Sequence, residues 1–270
     1  MIIRYKSREQ DLHVAANTFV AYDDVENYLG EACVESMSCP LVFEKRPEIF
    51  TIRVQGDKSA ADALLGAATA HALYLARDAK GKACIRVEVL PGEQQALGSS
   101  LEVLGYSGKS AVLRMGAPVS AQPLEAQLPQ GLTVLRDYLI DEQECAFYLE
   151  RTNALFGGKR DMAWLEQARA KPHFTRVLLI DEHGAAGEML LWAEDGAGVA
   201  ENVWVHPDWR GKGAGKFLME CAREYWNENG LRRARMDIWS RLQPAIRLAY
   251  AAGFAPEEAV VEYPYMDARG

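Results

Sequence analysis

The sequence predicts an α/β protein, of the α+β kind, in which two similar domains follow one another along the chain. Three observations support this prediction. Strand and helix patterns alternate in both halves, a proline- and glycine-rich segment separates the halves, and glycines of the first half recur at matching places in the second. The chain has 270 residues, which is more than one hydrophobic core usually organises.

The segment between the halves runs from Gly116 to Gly131 and holds three prolines and two glycines without an apolar period. Such a composition is typical of a linker. We therefore predict one domain at 1–117, a linker at 118–131 and a second domain at 132–270.

The second half has a full series of strands and helices. Asp141 is the expected N-cap of a first helix that Gly157 ends, and the segment 183–187 has the composition of a hairpin turn. The predicted helices lie at 141–155, 161–170, 216–229 and 244–252, and the predicted strands at 132–138, 175–180, 187–192, 199–205, 235–239 and 258–265.

The first half repeats the later part of this series. Gly81 and Gly105 stand where Gly230 and Gly253 stand in the second half, so we interpret the halves as an old duplication with only the second copy complete. An unrelated α/β domain in the first half is the alternative. The predicted helices here lie at 59–77 and 93–104, and the predicted strands at 82–90 and 111–115.

The stretch 201–222, ENVWVHPDWRGKGAGKFLMECA, predicts a strand, a tight turn and a helix whose start can bind an anion. The first turn of a helix leaves backbone N–H groups unpaired, and the helix dipole adds positive potential there. Glycines let a ligand approach the backbone. Three glycines and three basic residues suit a pyrophosphate here: Gly211, Gly213, Gly215, Arg210, Lys212 and Lys216.

Spacing separates three kinds of phosphate loop. Lys216 stands where a P-loop beginning at Gly211, or a dinucleotide-binding loop, would need glycine. The pattern [RQ]-x-x-G-x-[GA] is met by Arg210, Gly213 and Gly215. With V-x-V-H-P-x-W before this loop and A-I-R-L-x-Y-x-x-G-F at 245–254, the sequence resembles the GNAT superfamily of N-acyltransferases over residues 132–266.

The resemblance implies a GNAT fold, a mixed central sheet flanked by helices, complete in 132–270 and degenerate in 1–117. It also implies that acetyl-CoA is the co-substrate and that the acyl group passes directly from the thioester to an amine. The strands 199–205 and 235–239 would splay apart around the pantetheine. The residues implied to bind the cofactor are Val203, Trp204, Val205, Arg210, Gly211, Lys212, Gly213, Ala214, Gly215 and Lys216.

Direct attack requires a neutral amine, so a base must lie within reach. Glu201 is the candidate, because strand alternation places it on the face of Val203 and Val205, and many family members carry a strand glutamate there. A solvent-facing strand-end carboxylate is the alternative. The family often protonates the leaving thiolate with a tyrosine, but Ala249 holds that position. Tyr250 is the candidate acid, although one helical step of about 100° turns it towards the core.

The first half lacks an equivalent loop. Its corresponding segment, 53–62, has a single glycine, Gly56, and its carboxylates Asp57 and Asp62 would repel a pyrophosphate. We therefore expect one cofactor site per chain, with the first half acting as a scaffold or as a wall of the acceptor cleft.

Two further groups of residues have plain structural interpretations. Cys221 has helical spacing with Leu218 and Tyr225, which predicts core packing and not a nucleophile. Lys159 and Arg160 lie where the family borders its acceptor site. We interpret them as solvated loop charges, with contact to an anionic acceptor as the alternative.

Composition limits the partners. A net charge of −8 argues against a nucleic-acid surface. The five cysteines and five histidines match no metal-ligand spacing, so we predict no metal. No leader or bilayer-length apolar run is visible, which favours a reduced cytoplasm and no membrane. No motif identifies the acceptor, a small-molecule or peptide amine, or the oligomeric state. A non-catalytic acyl-CoA-binding sensor and a transferase that uses aminoacyl-tRNA stay open as alternatives.

Overall fold

The structure is a computed structural model that describes residues 1–6, 17–39, 41–43, 48–79, 82–119 and 125–268. The chain divides into two compact units, one formed by Met1–Val112 with Ala259–Gly270 and the other by Leu113–Glu258. The predicted linker at 118–131 lies within the second unit, and its residues 120–124 lie outside the described residues.

The first unit holds strands from the start of the chain and two helices. Its strands β1 to β4 have no counterpart in the sequence-based prediction, whereas both helices and the strand between them are confirmed. The elements are β1 Ile2–Lys6, β2 Thr18–Tyr22, β3 Tyr28–Met37, β4 Glu48–Gly56, α1 Lys58–Ala76, β5 Ala83–Val87, α2 Gln94–Val103 and the first part of β6 Gly108–Pro118.

The second unit confirms the predicted series of elements. The predicted turn at 183–187 is wrong in extent, because a strand already begins at Gly184 and the turn is confined to 182–183. The elements are the last part of β6, then β7 Thr133–Asp137, α3 Glu142–Phe156, α4 Met162–Arg169, β8 Thr175–Asp181, β9 Gly184–Glu194, β10 Ala197–Val205, α5 Ala214–Glu228, β11 Arg233–Trp239, α6 Gln243–Ala251 and the first part of β12 Ala255–Ala268, whose remainder belongs to the first unit.

Helix ends follow the predicted capping chemistry. The Asp141 carboxylate accepts the N–H of Glu144 at 3.0 Å and so starts α3, which ends at Gly157 with φ of 68°. Three of the four repeated glycines also take left-handed φ angles, of 92°, 72° and 85° at Gly105, Gly230 and Gly253. The fourth, Gly81, lies outside the described residues.

The two units share a strand order. In the first, β1 to β4 pair antiparallel in sequence, β5 joins β4 in parallel, and the end of β12 borders β5. In the second, β7 to β10 pair antiparallel in sequence, β11 joins β10 in parallel, and β6 borders β11. Each unit therefore takes its sixth strand from the other half of the sequence, whereas the repeat predicts that each half supplies its own.

The second unit buries its sheet on both faces. One face packs on α5 and α6 through a core that includes Met189, Ala200 and Leu218. The other face packs on α3 and α4 through Tyr148, Leu190 and other apolar side chains. We call these the α5 face and the α3 face.

Candidate functional site

Strands β10 and β11 separate before they end. Their parallel pairing runs from Ala197 opposite Arg233 to Ala200 opposite Met236. Strand β10 continues to Val205 and β11 to Trp239, and within the described structure none of these later residues is paired with the other strand. The carboxyl ends of the two strands thus border a gap, the place where open α/β sheets bind ligands. The predicted splay of these strands is therefore present.

Strand β10 also carries a β-bulge. Glu201 lies opposite Leu190 of β9, but Trp204 lies opposite Glu188, so β10 has one residue more than its partner over this stretch. Asn202 takes a φ of 54° within the bulge. A single extra residue reverses which face each later side chain points to.

The bulge corrects the predicted placement of Glu201. Strand alternation alone predicts that Glu201 shares a face with Val203 and Val205. With the extra residue, Glu201 and Trp204 point to the α3 face, while Val203 and Val205 pack against the core of the α5 face. Glu201 and Val203 are two residues apart in the sequence, but because of the bulge they point to opposite faces of the sheet.

On the α3 face, Glu201 is in contact with an ordered arginine. Arg160 Nη2 donates to Glu201 Oε1, and the two side chains are 30% and 23% exposed. The Arg160 guanidinium carbon lies 4.1 Å from the centre of the Trp164 ring. Asn153 accepts the N–H of Arg160 at 3.0 Å and donates to its carbonyl at 2.8 Å. The interpretation of Arg160 as a solvated loop charge is wrong.

The glycine loop leads directly into α5. Gly211 and Gly213 have φ angles of 73° and 93°, in the region that side chains disfavour. Gly213 is the N-cap of α5, and among the described residues no side chain caps that helix. At Gly215 the constraint is space and not backbone conformation, because a Cβ there would lie 3.1 Å from Leu248. The first amides of α5 thus have no capping side chain among the described residues.

Basic residues surround this helix start. Arg210 Nε donates to the carbonyl of Val205 at 3.0 Å, which ties the loop to the end of β10. Lys212 Nζ lies 5.2 Å from the centre of the Trp209 ring, and Lys216 is exposed. A cavity elsewhere in this unit, lined by Tyr138 and Tyr225 among others, includes none of these loop residues. Arg210, Lys212 and Lys216 are thus all exposed around the start of α5.

Half-buried apolar side chains line the α5 face beside the gap. Val203 and Val205 come from β10, and Leu242, Ile246 and Leu248 from the start and body of α6. All five pack partly against the same core, which leaves part of each accessible. Partly accessible apolar side chains near an uncapped helix start are features that a long ligand with an apolar arm and a phosphorylated end would use.

Tyr250 does not have the predicted orientation. The sequence predicts that its one-residue displacement turns it into the core, but Ala249 is fully buried and Tyr250 is 54% exposed. Cys221 is buried in the core of the α5 face, as predicted, and burial raises the pKa of its thiol to about 11. That thiol is protonated at neutral pH and cannot serve as a ready nucleophile.

A buried carboxylate on the α3 face has no place in the sequence-based prediction. Glu188 is fully buried, and Arg151 donates to both of its oxygens, with Nη2 at 2.9 and 2.8 Å. Trp204 Nε1 donates to it at 3.3 Å. Burial raises the pKa of Glu188, and Arg151 opposes that rise. The only signal in the sequence was a glutamate inside the apolar run of β9.

Tyr148 is a second residue that the sequence-based prediction missed. It is fully buried in α3, and its hydroxyl accepts a hydrogen bond of 2.7 Å from the side chain of Asn202 at the bulge. Burial raises the pKa of the Tyr148 hydroxyl. The bulge is therefore held from the α3 face, beside the Arg160–Glu201 pair.

The family model of the acetyltransferase (GNAT) domain matches residues 173–256. This segment contains the bulge, the gap and the glycine loop. Residues 173–256 belong to the GNAT acetyltransferase family. The predicted resemblance is thereby confirmed for this segment.

Solved structures share the fold. A GCN5-related N-acetyltransferase from Sphaerobacter thermophilus has a TM-score of 0.54 at 15% identity, over 97% of this chain and 84% of that chain. A conserved protein from Enterococcus faecalis V583, described as a probable N-acyltransferase, has a TM-score of 0.54 at 12% identity, over 97% and 71%. Such low identities show the GNAT fold and nothing of the acceptor.

A third structure is a GCN5-related glucosamine N-acetyltransferase region of a fungal multi-domain GH3 β-N-acetylglucosaminidase. It has a TM-score of 0.55 at 12% identity, over 98% of this chain and 38% of that chain. No curated protein sequence matches the chain.

In the described ranges, His, Cys, Asp and Glu side chains form no group able to hold a metal ion. No helix among the described residues is both long and apolar enough to cross a bilayer.

Proposed function

We propose that the chain is an N-acetyltransferase that moves an acetyl group from acetyl-CoA to an amine. One observation carries the proposal: the gap between β10 and β11 runs into the uncapped, glycine-rich start of α5. The pantetheine would lie in the gap beside Val203 and Val205. The amides of Gly211 to Lys216, with Arg210, would hold the pyrophosphate.

The bulge supports a division of labour within β10. Val203 and Val205 face the α5 side, which we assign to the donor, whereas Glu201 faces the α3 side, which we assign to the acceptor. Glu201 would take a proton from the ammonium group of the acceptor. The neutral nitrogen would then attack the thioester carbonyl carbon, a C–N bond would form, and the C–S bond would break. The products are an amide, CoA thiol and one released proton.

No described contact favours a particular acid for the leaving thiolate. Tyr250 stays the candidate, because its exposure leaves the hydroxyl free to reach the groove or solvent. Water can protonate a thiolate leaving group as well, so the proposal does not depend on Tyr250.

Calorimetric titration with acetyl-CoA, followed by a consumption assay with pooled amines, tests the proposal. We expect one acetyl-CoA bound per chain and release of CoA thiol only when amines are present. Binding without turnover on any amine would support a sensor in place of an enzyme. Absence of acetyl-CoA binding, with binding of aminoacyl-tRNA instead, would support the other donor.

A further inference from the structure

The contact between Arg160 and Glu201 bears on the choice of acceptor, an inference that rests on the proposed function. The candidate base is already paired with a cation, Arg160. An ammonium group that reaches Glu201 brings a second positive charge beside this pair, whichever carboxylate oxygen it meets. An acceptor that also carries a negative charge keeps the site neutral, whereas a purely cationic acceptor does not.

Arg160 is held in place while its partner changes. Its guanidinium stacks on Trp164, and its backbone is fixed on both sides by the side chain of Asn153. The nearest acidic neighbour in sequence, Asp161, is occupied as the N-cap of α4, where it accepts the N–H of Trp164 at 3.0 Å. Arg160 thus has a fixed plane and several N–H donors, a geometry that recognises a carboxylate.

We propose that the acceptor is a zwitterion, an amine with a carboxylate on the adjacent carbon as in a free α-amino acid, and that Arg160 binds this carboxylate. Such a molecule bridges the two side chains: its ammonium meets Glu201 and its carboxylate meets Arg160. One internal ion pair becomes two, and the site stays electrically neutral. A simple amine would bind Glu201 and leave Arg160 without a partner, which is costly for a half-buried charge.

The separation of the two groups also points to an adjacent carboxylate. Arg160 and Glu201 touch each other, so an acceptor nitrogen in contact with Glu201 has its own near neighbours within reach of the guanidinium. A carboxylate one carbon away from the nitrogen meets this requirement. Proton transfer to Glu201 then frees the nitrogen to attack the thioester, and the product is an N-acetyl amino acid with its carboxylate unchanged.

Matched acceptors test this proposal on the intact protein. Each common α-amino acid is compared with its α-carboxamide, which keeps the amine and side chain but removes the negative charge. We expect the amino acids to have a kcat/KM at least about tenfold higher than the amides, because a charged hydrogen bond is lost in the amide. Arg160→Gln should raise KM for the amino acids by a similar factor, lower KM for the amides because no cation is then left without a partner, and leave the Kd for acetyl-CoA unchanged.

Two further variants serve as controls. Arg235→Gln removes another half-buried arginine, paired with Glu194 in the same unit, and should keep the wild-type preference. Arg160→Lys keeps the charge without the planar fork and should restore part of the preference. If Arg160→Gln fails to fold, the comparison of amino acids and their amides on the wild-type protein still tests whether the acceptor must carry a carboxylate.

The outcomes separate this inference from the proposed function. Equal kcat/KM for acids and amides, or an equal loss on both in Arg160→Gln, would overturn the zwitterion while acetyl transfer stands. Acetyl-CoA that is neither bound nor consumed with any amine would overturn the proposed function, and this inference with it.

Discussion

Helices α1 and α5 follow corresponding strands of the two units, but their first turns differ. The start of α1 is occupied by the chain itself: the Asp57 carboxylate accepts the N–H of Ser59 at 2.8 Å, and this bond lowers the pKa of Asp57. The start of α5 has Gly213 in the same role and no capping side chain among the described residues. The start of α1 is thus capped by the Asp57 carboxylate, whereas the amides at the start of α5 are available to a ligand.

Strands β4 and β10, which precede α1 and α5, also differ: β4 is regularly paired, and β10 is not. Strand β4 pairs with β5 along all five residues of β5, and its register with β3 runs without a shift from Gly30 to Met37. Strand β10 has a bulge towards β9 and leaves β11 after four pairs. The shared strand order therefore forms the scaffold, and interruptions of regular structure form the site.

The largest effect should come from the base. Glu201→Gln should lower kcat with an amine acceptor by roughly 10²–10⁴-fold, the range of general-base catalysis, while the Kd for acetyl-CoA stays the same. The deficit should shrink as pH rises, because more acceptor is then neutral before it binds. Steady-state kinetics against pH, together with calorimetry, measure both effects.

Glu35→Gln is the matched control in the first unit. Glu35 pairs with Arg53 of β4 at 2.8 Å, an ion pair without a bulge beside it. This variant should keep the wild-type kcat. If both variants lose activity alike, the role of Glu201 is structural.

The next effect concerns the charge beside the helix start. Arg210→Ala should weaken acetyl-CoA binding by roughly 1.5–3 kcal/mol, the usual contribution of a hydrogen bond to a charged group. Lys58→Ala, at the start of α1, should leave the affinity unchanged, and the stoichiometry should be one in every variant. Two acetyl-CoA per chain, or a weakened Lys58→Ala, would mean that the first unit binds the cofactor too.

A smaller effect on acetyl-CoA binding is expected when the start of α5 is given an acidic residue, as the start of α1 has in Asp57. Gly215→Asp places a carboxylate in the first turn of α5, and Gly215→Asn adds the same volume without charge. Both variants press on Leu248 equally, so their difference isolates the charge. We expect acetyl-CoA to bind roughly tenfold more weakly to the Asp variant than to the Asn variant, or about 1.4 kcal/mol.

Gly215→Asp should also destabilise the protein less than Gly215→Asn does, because an acidic residue favours the first turn of a helix. Its thermal midpoint should therefore match or exceed that of Gly215→Asn. An equal affinity of the two variants for acetyl-CoA would show that no phosphate lies near this turn.

The smallest effect should come from the cap of α1. Asp57→Ala should lower the thermal midpoint by a few degrees at neutral pH and leave acetyl-CoA binding unchanged. Because the pKa of Asp57 is lowered in the folded state, its contribution is present above the unfolded pKa and is lost as pH falls through the folded one. The midpoints of the wild type and the variant should therefore converge in acid, which differential scanning calorimetry can follow.

The sequence predicted those elements whose ends are marked by capping residues or glycines. Asp141, Gly157 and Gly230 define helix ends through chemistry confined to a few residues, and the glycine loop has a spacing of its own. Strand β3 escaped prediction because inward positions such as Gly30 and Ala32 are small and give a weak apolar alternation.

Features of the site that depend on distant residues escaped prediction as well. The bulge at Asn202 lies beside Val203, Trp204 and Val205, a continuous apolar run in which an extra residue leaves no trace in the period. Arg160 and Glu201 come together only through the packing of the segment between α3 and α4 against β10. No pattern within either segment contains that contact.

The exchange of sixth strands has a consequence for synthesis of the chain. The ribosome releases β1 to β5 first, but the strand that borders β5, Tyr265–Ala268, is almost the last described segment to emerge. The first unit therefore cannot complete its sheet while the second is still being made, and the usual advantage of folding the N-terminal part first is lost. Until then the free edge of β5 is open to incorrect partners, so chaperone demand and aggregation during expression should depend on how fast translation reaches β12.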